Sequence, residues 1–215
     1  MLQEIFEYPF LIRIFNSLLF DKEKINLIYS SRFIYQRKHK FTFEDEYFCE
    51  ESYKNSSFFN CLTNIKVKEI FEFPKSVTHL KFDDYSNDPF HMSSGKFVVL
   101  SNTIINLTFG RYFNNYIDEC ISFGITHITF GVHFNKPIYN CIPNSVTYLR
   151  FGYYFNQNID DLPDSIKYLH LHCSYNKPIS KFPSNLKYLE VCKEFVLKFK
   201  HLINDDITII SNNCF

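Results

Sequence analysis

Residues 142–159 read IPNSVTYLRFGYYFNQNI, and residues 162–179 read LPDSIKYLHLHCSYNKPI. The two stretches carry apolar, aromatic and Asn residues at matching positions, and four other segments follow the same pattern. One apolar position of the shared pattern falls at Phe82, Phe109, Phe130, Phe151, Leu171 and Val191. The successive steps are 27, 21, 21, 20 and 20 residues. Self-similarity at a nearly fixed period is the sequence signature of a repeat protein.

Alternating side chains predict a short strand in each unit. Leu149 and Phe151 alternate with Tyr148 and Arg150. A strand here directs the first pair inward and the second pair outward. Gly152 follows, and we expect it to let the chain leave the strand. Because one coil cannot bury both of its faces, we expect the coils to stack into a parallel sheet over one continuous apolar core.

An Asn follows the strand at the same offset in successive units. These residues are Asn87, Asn114, Asn135, Asn156 and Asn176. We expect each side chain to be buried and to hydrogen-bond the backbone of its own turn and of the neighbouring coil. Those backbone groups would otherwise lack partners.

The repeated unit resembles two known repeat families. Its order of apolar-x-x-Leu-x-Phe, followed by Phe-Asn and Ile, resembles the leucine-rich repeat, whose period is roughly 20–29 residues. Residues 134–138, FNKPI, resemble the Phe-Asn-x-Pro-Ile core of the FNIP repeat, a family known from amoeboid organisms and the large viruses that infect them. The resemblance implies an α/β repeat fold, a leucine-rich-repeat-like solenoid of about 20–21-residue coils with a parallel sheet on its concave face.

The pattern divides the chain into a helical N-terminal region, irregular first coils, the repeats and a C-terminal cap, at residues 1–38, 39–72, 73–198 and 199–215. Caps are expected because an open stack would leave strand edges unpaired. Further short strands are predicted within residues 39–47 and 62–73 and around residues 207–210. A bulged turn is predicted at Gly95, in a loop that lengthens the first repeat.

Residues 1–38 are predicted to be helical, because the apolar residues of YPFLIRIFNSLL recur at helical spacing. This segment resembles an F-box. The matching residues are Pro9, Leu11, Ile12, Ile14 and Leu18. The resemblance implies a helical surface that docks the Skp-type adaptor of a cullin–RING ubiquitin ligase. The alternative is a small helical cap on the first coil, which needs the same amphipathic helices.

The outward strand positions form the predicted recognition surface on the concave face. Its residues are Tyr148, Arg150, Tyr168, His170, Tyr188 and Glu190. Tyr and Arg are enriched among residues that anchor protein interfaces, which favours a protein partner. The alternative is that the Tyr rings only stack along the sheet as cross-strand pairs.

Two groups of reactive side chains have both a chemical and a purely structural interpretation. Four groups of zinc-ligand type would converge on adjacent coils, namely His170, His172, Glu190 and Cys192. Their spacing matches no known zinc signature, so a solvated polar strand face is the competing interpretation. Cys120 and Cys141 occupy equivalent positions in successive coils. They could reach disulfide distance, but we expect reduced thiols in a chain without a secretory signal.

Composition argues against several classes of function. Lys+Arg and Asp+Glu both number 23, so the chain lacks the net positive charge of a nucleic-acid binder. No long apolar window predicts a membrane helix. Glu4 and Glu7 stand where a secretory signal would be positive, so we expect a cytoplasmic protein, in the host cytoplasm if it is viral. Phosphate-loop and hydrolase motifs are missing, so we expect no catalysis and no cofactor.

Together these observations predict a non-enzymatic protein-interaction module. The preferred hypothesis is the substrate-recognition subunit of a cullin–RING ubiquitin ligase, whose helices bind the adaptor and whose concave face binds the target. The second hypothesis is a stand-alone binding or scaffold protein in which the N-terminal helices only cap the solenoid. The third is a metal-dependent activity at His170, His172 and Cys192.

Overall fold

A computed structural model describes residues 47–48, 64–67, 77–87, 90, 100–117 and 121–212. Within these ranges, nine parallel strands form one sheet in strict chain order. The strands are β1 Tyr47–Phe48, β2 Asn64–Val67, β3 His79–Phe82, β4 Asn106–Thr108, β5 His127–Thr129, β6 Tyr148–Arg150, β7 Tyr168–His170, β8 Tyr188–Cys192 and β9 Thr208–Asn212. This arrangement confirms the predicted solenoid with a parallel sheet.

The register of the sheet follows the repeat. Leu107 pairs with Ile128, Ile128 with Leu149, and Leu149 with Leu169 across neighbouring strands. Residues about one coil apart in sequence are therefore next to one another in space, separated by roughly 4.8 Å in the hydrogen-bonding direction. Each repeat of the sequence therefore contributes one strand to the sheet.

The inward side chains of successive coils form one continuous core. Phe130 stacks on Phe151 with ring centroids 5.3 Å apart, and Leu171 continues the same column. A second column places Phe134 beside Phe155 at 6.0 Å. All five side chains are almost completely buried. Burying a side chain of this size contributes about 1.5–3 kcal/mol, so the two columns supply much of the stability of the stack.

The glycines after the strands are required by close contact between coils. A Cβ on Gly131 would lie 1.9 Å from the carbonyl oxygen of Gly110, and one on Gly152 would lie 2.1 Å from that of Gly131. Real Cβ atoms cannot approach so closely. The sequence interpretation gave Gly152 the role of releasing the chain from the strand. The structure adds that the absence of a side chain lets the backbone of the preceding coil approach.

The Asn residues form a ladder along the stack, although not in the way predicted. The backbone N–H of Asn135 donates to Oδ1 of Asn114 at 2.9 Å, and that of Asn156 donates to Oδ1 of Asn135 at 2.9 Å. The same bond joins Asn176 to Asn156 at 3.0 Å. Each side chain therefore serves the neighbouring coil. The side chains are half-buried or exposed rather than buried, because the ladder runs along the surface of the turns.

The ends of the array agree with the prediction in part. Strands occur at Asn64–Val67 and Thr208–Asn212, close to where alternation predicted them, and Tyr47–Phe48 lies at the end of the third predicted segment. The last repeat continues into an unpredicted helix, α1 Lys193–Phe199, and a 3-10 turn, Lys200–Leu202. In the part of the chain that the structure describes, no helix is long and apolar enough to cross a membrane.

Two predicted features, the helices of residues 1–38 and the bulged loop at Gly95, lie outside the described residues. The proposed division of the chain at residues 38, 72 and 198 stays a prediction. The described coils nevertheless place every outward strand residue of the predicted recognition surface.

Candidate functional site

The side of the sheet that faces away from the core is called here the outer face. Strands β3 to β8 each present two outward positions. The first outward column is His79, Asn106, His127, Tyr148, Tyr168 and Tyr188, and the second is Lys81, Thr108, Thr129, Arg150, His170 and Glu190. The structure thus brings all six predicted outer-face residues onto strands β6 to β8.

Three rings of the first outward column form a stack. His127 lies over Tyr148 with ring centroids 5.3 Å apart, and Tyr148 lies over Tyr168 at 4.3 Å with an interplanar angle of 7°. Cross-strand stacking of Tyr148 and Tyr168, which was the alternative to binding, is therefore observed. His127 and Tyr188 remain exposed. Stacking holds the rings in place and leaves the ends of the column open to solvent.

The second outward column ends in a polar cluster centred on Glu190. Nη1 of Arg150 lies 3.2 Å from Oε2 of Glu190, and the hydroxyl of Tyr168 donates to the same oxygen. Nδ1 of His170 donates to the carbonyl oxygen of Phe151 at 2.9 Å, and its Nε2 lies 4.0 Å from Oε1 of Glu190. The cluster spans three strands, because the long Arg150 side chain reaches across β7.

Because of this cluster, a partner can reach fewer side chains of the predicted recognition surface. His170 and Glu190 occupy outward positions as predicted, but their neighbours cover them, and they are only 7% and 8% exposed. A partner would meet Arg150 and Tyr188 first, since both are considerably more exposed. The sequence pattern gives the direction of a side chain but not what lies over it.

The protonation states within the cluster follow from burial and from Arg150. Burial, and next the Arg150 guanidinium, hold the pKa of His170 below its ordinary value, although Glu190 acts in the opposite sense. Burial and Arg150 likewise lower the pKa of His172. Burial and the hydrogen bond to Glu190 raise the pKa of Tyr168 well above its ordinary value. At neutral pH the cluster is an Arg150–Glu190 ion pair flanked by neutral side chains.

The structure does not bring all four residues of the metal hypothesis together, although His170 and Glu190 are neighbours. Cys192 is buried in the apolar core, and His172 lies beyond the end of β7 with its ring 4.6 Å from that of Tyr153. No group of three or more metal-ligand side chains is found among the residues whose placement is described. Cys141 is a buried thiol that donates to the carbonyl oxygen of Tyr139 at 3.1 Å, and its proposed disulfide partner Cys120 lies outside the described residues.

A groove that the sequence interpretation missed lies at the carboxyl ends of strands β4 to β7. It encloses about 580 Å³. The side chains that distinguish it are Arg111, His133, Arg150, Tyr153, Tyr154 and His172. This site is called the edge groove below. Its lining comes mainly from residues immediately after the strands, whereas the predicted recognition surface used only residues within them.

An aromatic ladder on the turns runs into the edge groove. The rings of Tyr85 and Tyr112 are 5.2 Å apart, those of Tyr112 and His133 are 4.8 Å apart, and those of His133 and Tyr154 are 4.9 Å apart. Three of the four are exposed and His133 is half-buried. A sequence signal for this ladder did exist, because an aromatic ring or His recurs at these positions with the period of the repeat.

The parallel strands, the coil-to-coil register and the continuous core define a leucine-rich-repeat-like solenoid. Residues 115–154 and 155–195 each match the family model of the FNIP repeat. That segment of the chain is therefore similar to the FNIP repeat, as the motif at residues 134–138 predicted.

A solved structure supports the same fold. The crystal structure of CroV588, described as a novel circular LRR protein structure, is similar to this chain with 28% sequence identity and a TM-score of 0.56. The similarity covers 71% of this chain and 24% of that one, so the chain matches about a quarter of the length of CroV588. No curated protein matches the sequence.

Proposed function

We propose that this chain is a non-catalytic protein-interaction module that binds a protein partner through the outer face of its sheet. The observation that carries the proposal is the ordered row of ring and guanidinium side chains on β5 to β8. Stacked-coil proteins typically use such extended faces for binding. Tyr and Arg, which dominate this row at Tyr148, Arg150, Tyr168 and Tyr188, are enriched among the residues that anchor protein interfaces.

Pre-ordering of the outer face supports this function. The Tyr148 and Tyr168 rings are stacked, and Arg150 is held by Glu190 before any partner arrives. Immobilising a flexible side chain on binding costs roughly 0.5–1.5 kcal/mol, and side chains that are already held avoid part of that cost. The fixed face therefore favours a partner of complementary shape.

A more specific proposal is that the module is the substrate-recognition subunit of a cullin–RING ubiquitin ligase. The support is the resemblance of residues 1–38 to an F-box, which lies outside the described residues. In this proposal those residues bind the Skp-type adaptor, the outer face binds the target, and the complex works in the cytoplasm. The spatial separation of the two tasks along the chain allows each to be tested alone.

An adaptor pull-down tests the ligase proposal. The tagged chain is incubated with an amoeboid cell extract under gentle conditions, and captured proteins are identified by mass spectrometry. We expect an adaptor and a cullin, lost in the Leu11→Asp and Ile14→Asp variants because a charge is placed on the proposed docking surface. Tyr188→Ala is the control that should retain both. Absence of an adaptor, or capture unchanged by the two Asp variants, would remove the ligase assignment.

The second candidate is a stand-alone binding or scaffold protein. The observation that favours it is the solenoid itself, because the first strand of a stacked array needs a cover over its edge and core. Residues 1–38 would then act only as that cover. Both candidates use the same outer face, so the binding of a target does not separate them, whereas the adaptor does.

A further inference from the structure

We propose that the edge groove binds an acidic segment of a protein partner, with a carboxylate against its two arginines and an apolar side chain against its aromatic walls. The inference rests on the proposed function, because it names the kind of partner that an interaction module of this shape would take. It concerns a surface that adjoins the outer face and shares Arg150 with it, since the groove lies at the carboxyl ends of the strands.

The charge of the groove favours an anion. Arg111 and Arg150 line it, and no Asp or Glu is among the described residues that do. Two carboxylates outside the lining contact these arginines: Glu190 binds the Arg150 side chain and the Tyr168 hydroxyl, whereas Oδ1 of Asp84 accepts only the backbone N–H of Arg111, at 3.3 Å. Arg150 uses one nitrogen for Glu190 and its side chain is 41% exposed. A guanidinium presents five donors, so Arg150 can hold a second carboxylate.

The rest of the lining suits an apolar side chain. Tyr153 and Tyr154 meet edge to face with centroids 4.9 Å apart, and the His172 ring packs on Tyr153. The Phe130 and Phe151 positions of the core also contribute to the lining. Aromatic walls beside fixed cationic groups are a typical arrangement of ligand pockets, which combine apolar contact with a few placed polar groups.

A nucleic acid fits this surface less well than a peptide. Base stacking needs open ring faces, but the rings of Tyr112, His133 and Tyr154 are stacked on one another. The chain also has a formal net charge of zero, and two arginines do not make the basic track that a phosphate backbone follows. A short acidic peptide segment needs only the two arginines of the groove.

Histidines beside the groove couple binding to pH. His170 faces Arg150, Glu190, His172 and the Phe151 carbonyl, and its free-state pKa is lowered by burial and by Arg150. His172, beside Tyr153 and the Cys173 thiol, is lowered for the same reasons. A bound carboxylate opposes the effect of Arg150 and raises both values. Binding then takes up protons, so affinity should increase as the pH falls from about 8 to about 6.

Two fluorescein-labelled peptides of equal length test the proposal by anisotropy with the full chain. One alternates Glu with Phe and the other alternates Gln with Phe, so that they differ only in charge. We expect the Glu peptide to bind at least about tenfold more tightly, because charge-assisted hydrogen bonds to arginine are stronger than neutral ones. Its side chains stay ionised down to about pH 6, so a pH effect reports on the protein.

Matched variants locate the binding. Arg111→Gln should weaken the Glu peptide several-fold without disturbing the Glu190 cluster, and the double variant with Arg150→Gln should abolish its preference over the Gln peptide. Lys167→Gln removes the same charge at the opposite end of β7 and should change nothing. Equal binding of the two peptides, no binding below about 1 mM, a preference that survives the double variant, or tighter binding of a single-stranded oligonucleotide would each overturn the proposal.

Failure of the edge-groove proposal can be distinguished from failure of the proposed function. If the module binds a partner only through its outer face, Tyr188→Ala should weaken capture of that partner, while Arg111→Gln has no effect and the Glu peptide shows no preference. That result rejects the edge groove and keeps the interaction module. If the Glu peptide binds in the groove but no outer-face variant affects any partner, the groove stands and the outer face is rejected.

Discussion

Tyr175 occupies the core position that Phe113, Phe134 and Phe155 hold in the preceding coils. Its hydroxyl is buried and has no hydrogen-bond partner among the described residues. Removing an unsatisfied buried polar group recovers part of its desolvation cost, so we expect Tyr175→Phe to raise the free energy of unfolding by about 1 kcal/mol. Urea unfolding followed by circular dichroism measures the change. Tyr139→Phe, at an exposed ring, is the control, and a loss of stability in Tyr175→Phe would contradict the assignment.

Burial and Glu190 both affect the ionisation of Tyr168. Burial, together with the hydrogen bond to Glu190, raises the pKa of Tyr168, so its proton binds more tightly in the folded than in the unfolded chain. This contribution to stability is complete below the ordinary tyrosine pKa of about 10 and is lost as the pH rises above it. In Glu190→Gln we expect the pKa of Tyr168 to fall but to stay above its ordinary value, because burial persists.

Carbon NMR of ring-labelled tyrosines during an alkaline titration measures that shift. Glu194→Gln, an exposed carboxylate on α1, should leave Tyr168 unchanged. An unaltered Tyr168 titration in Glu190→Gln would show that the hydrogen bond does not contribute.

For single residues, the sequence predicts whether a side chain points inward or outward better than it predicts which groups that side chain contacts. Alternation on β6 placed Leu149 inward and Arg150 outward, and both predictions are confirmed. It could not show that Arg150 reaches Glu190, which lies 40 positions later in sequence. That contact depends on the length of an arginine relative to two strand spacings of about 4.8 Å each, which appears only after the strands are in register.

Among the repeated elements, the turn glycines should be the least tolerant of substitution. A methyl group on Gly131 would lie 1.9 Å from backbone of the preceding coil, and backbone cannot rotate away as a side chain can. We expect Gly131→Ala to destabilise the fold by about 3 kcal/mol, at the upper end of overpacking costs. Val132→Ala, at the next residue, provides the control in the same urea assay. Equal stability of Gly131→Ala and the wild type would mean that the coils separate without cost.

The Asn ladder offers a second prediction for the turns. Oδ1 of Asn135 accepts the backbone N–H of Asn156 at 2.9 Å and a second hydrogen bond from Gln157 at 2.9 Å. Asn135→Ala removes both bonds and should cost about 1–2 kcal/mol of unfolding free energy. Asn135→Asp keeps the acceptor and should cost less. Asn144→Ala, an exposed Asn outside the ladder, is the control, and a similar loss there would show that the ladder contributes nothing special.

Element prediction succeeded for the strands and missed the helix for a physical reason. Period-two alternation with β-branched and aromatic residues identifies β3 to β8 without ambiguity. In α1, Phe195 and Phe199 lie four positions apart and bury the same helical face. The repeat also requires apolar residues at about those positions, so periodicity alone could not distinguish a turn from a two-turn helix at the end of the array.

For the whole molecule, removal of residues 1–38 separates the two roles proposed for them. If these residues form an independent docking unit, the remaining chain should stay soluble and lose only the adaptor. If they cover the first coil, their loss exposes apolar surface and the chain should aggregate. We expect the soluble outcome. Size-exclusion chromatography with light scattering measures it, and full-length Leu11→Asp serves as the comparison that alters the docking surface without shortening the chain.

At this scale the sequence established the architecture and left the site incomplete. A six-fold recurrence of one pattern determines that coils stack, since each unit alone cannot bury its apolar residues. The edge groove arises from residues of four coils, including Arg111 and His172, that come together only when the turns are superimposed. The sequence gives the residue types, but which of these residues come together depends on the shape of the turns.

The repeated contacts between coils affect how the number of coils in such a chain can change during evolution. Since the coils of β4, β5 and β6 meet through the same register, aromatic column and Asn bond, an in-frame duplication or deletion of one of these complete coils creates no new type of junction. The length of the array can therefore change in whole units during evolution. An insertion of less than a whole unit is also tolerated, because β3 and β4 keep the same register across a step of 27 residues.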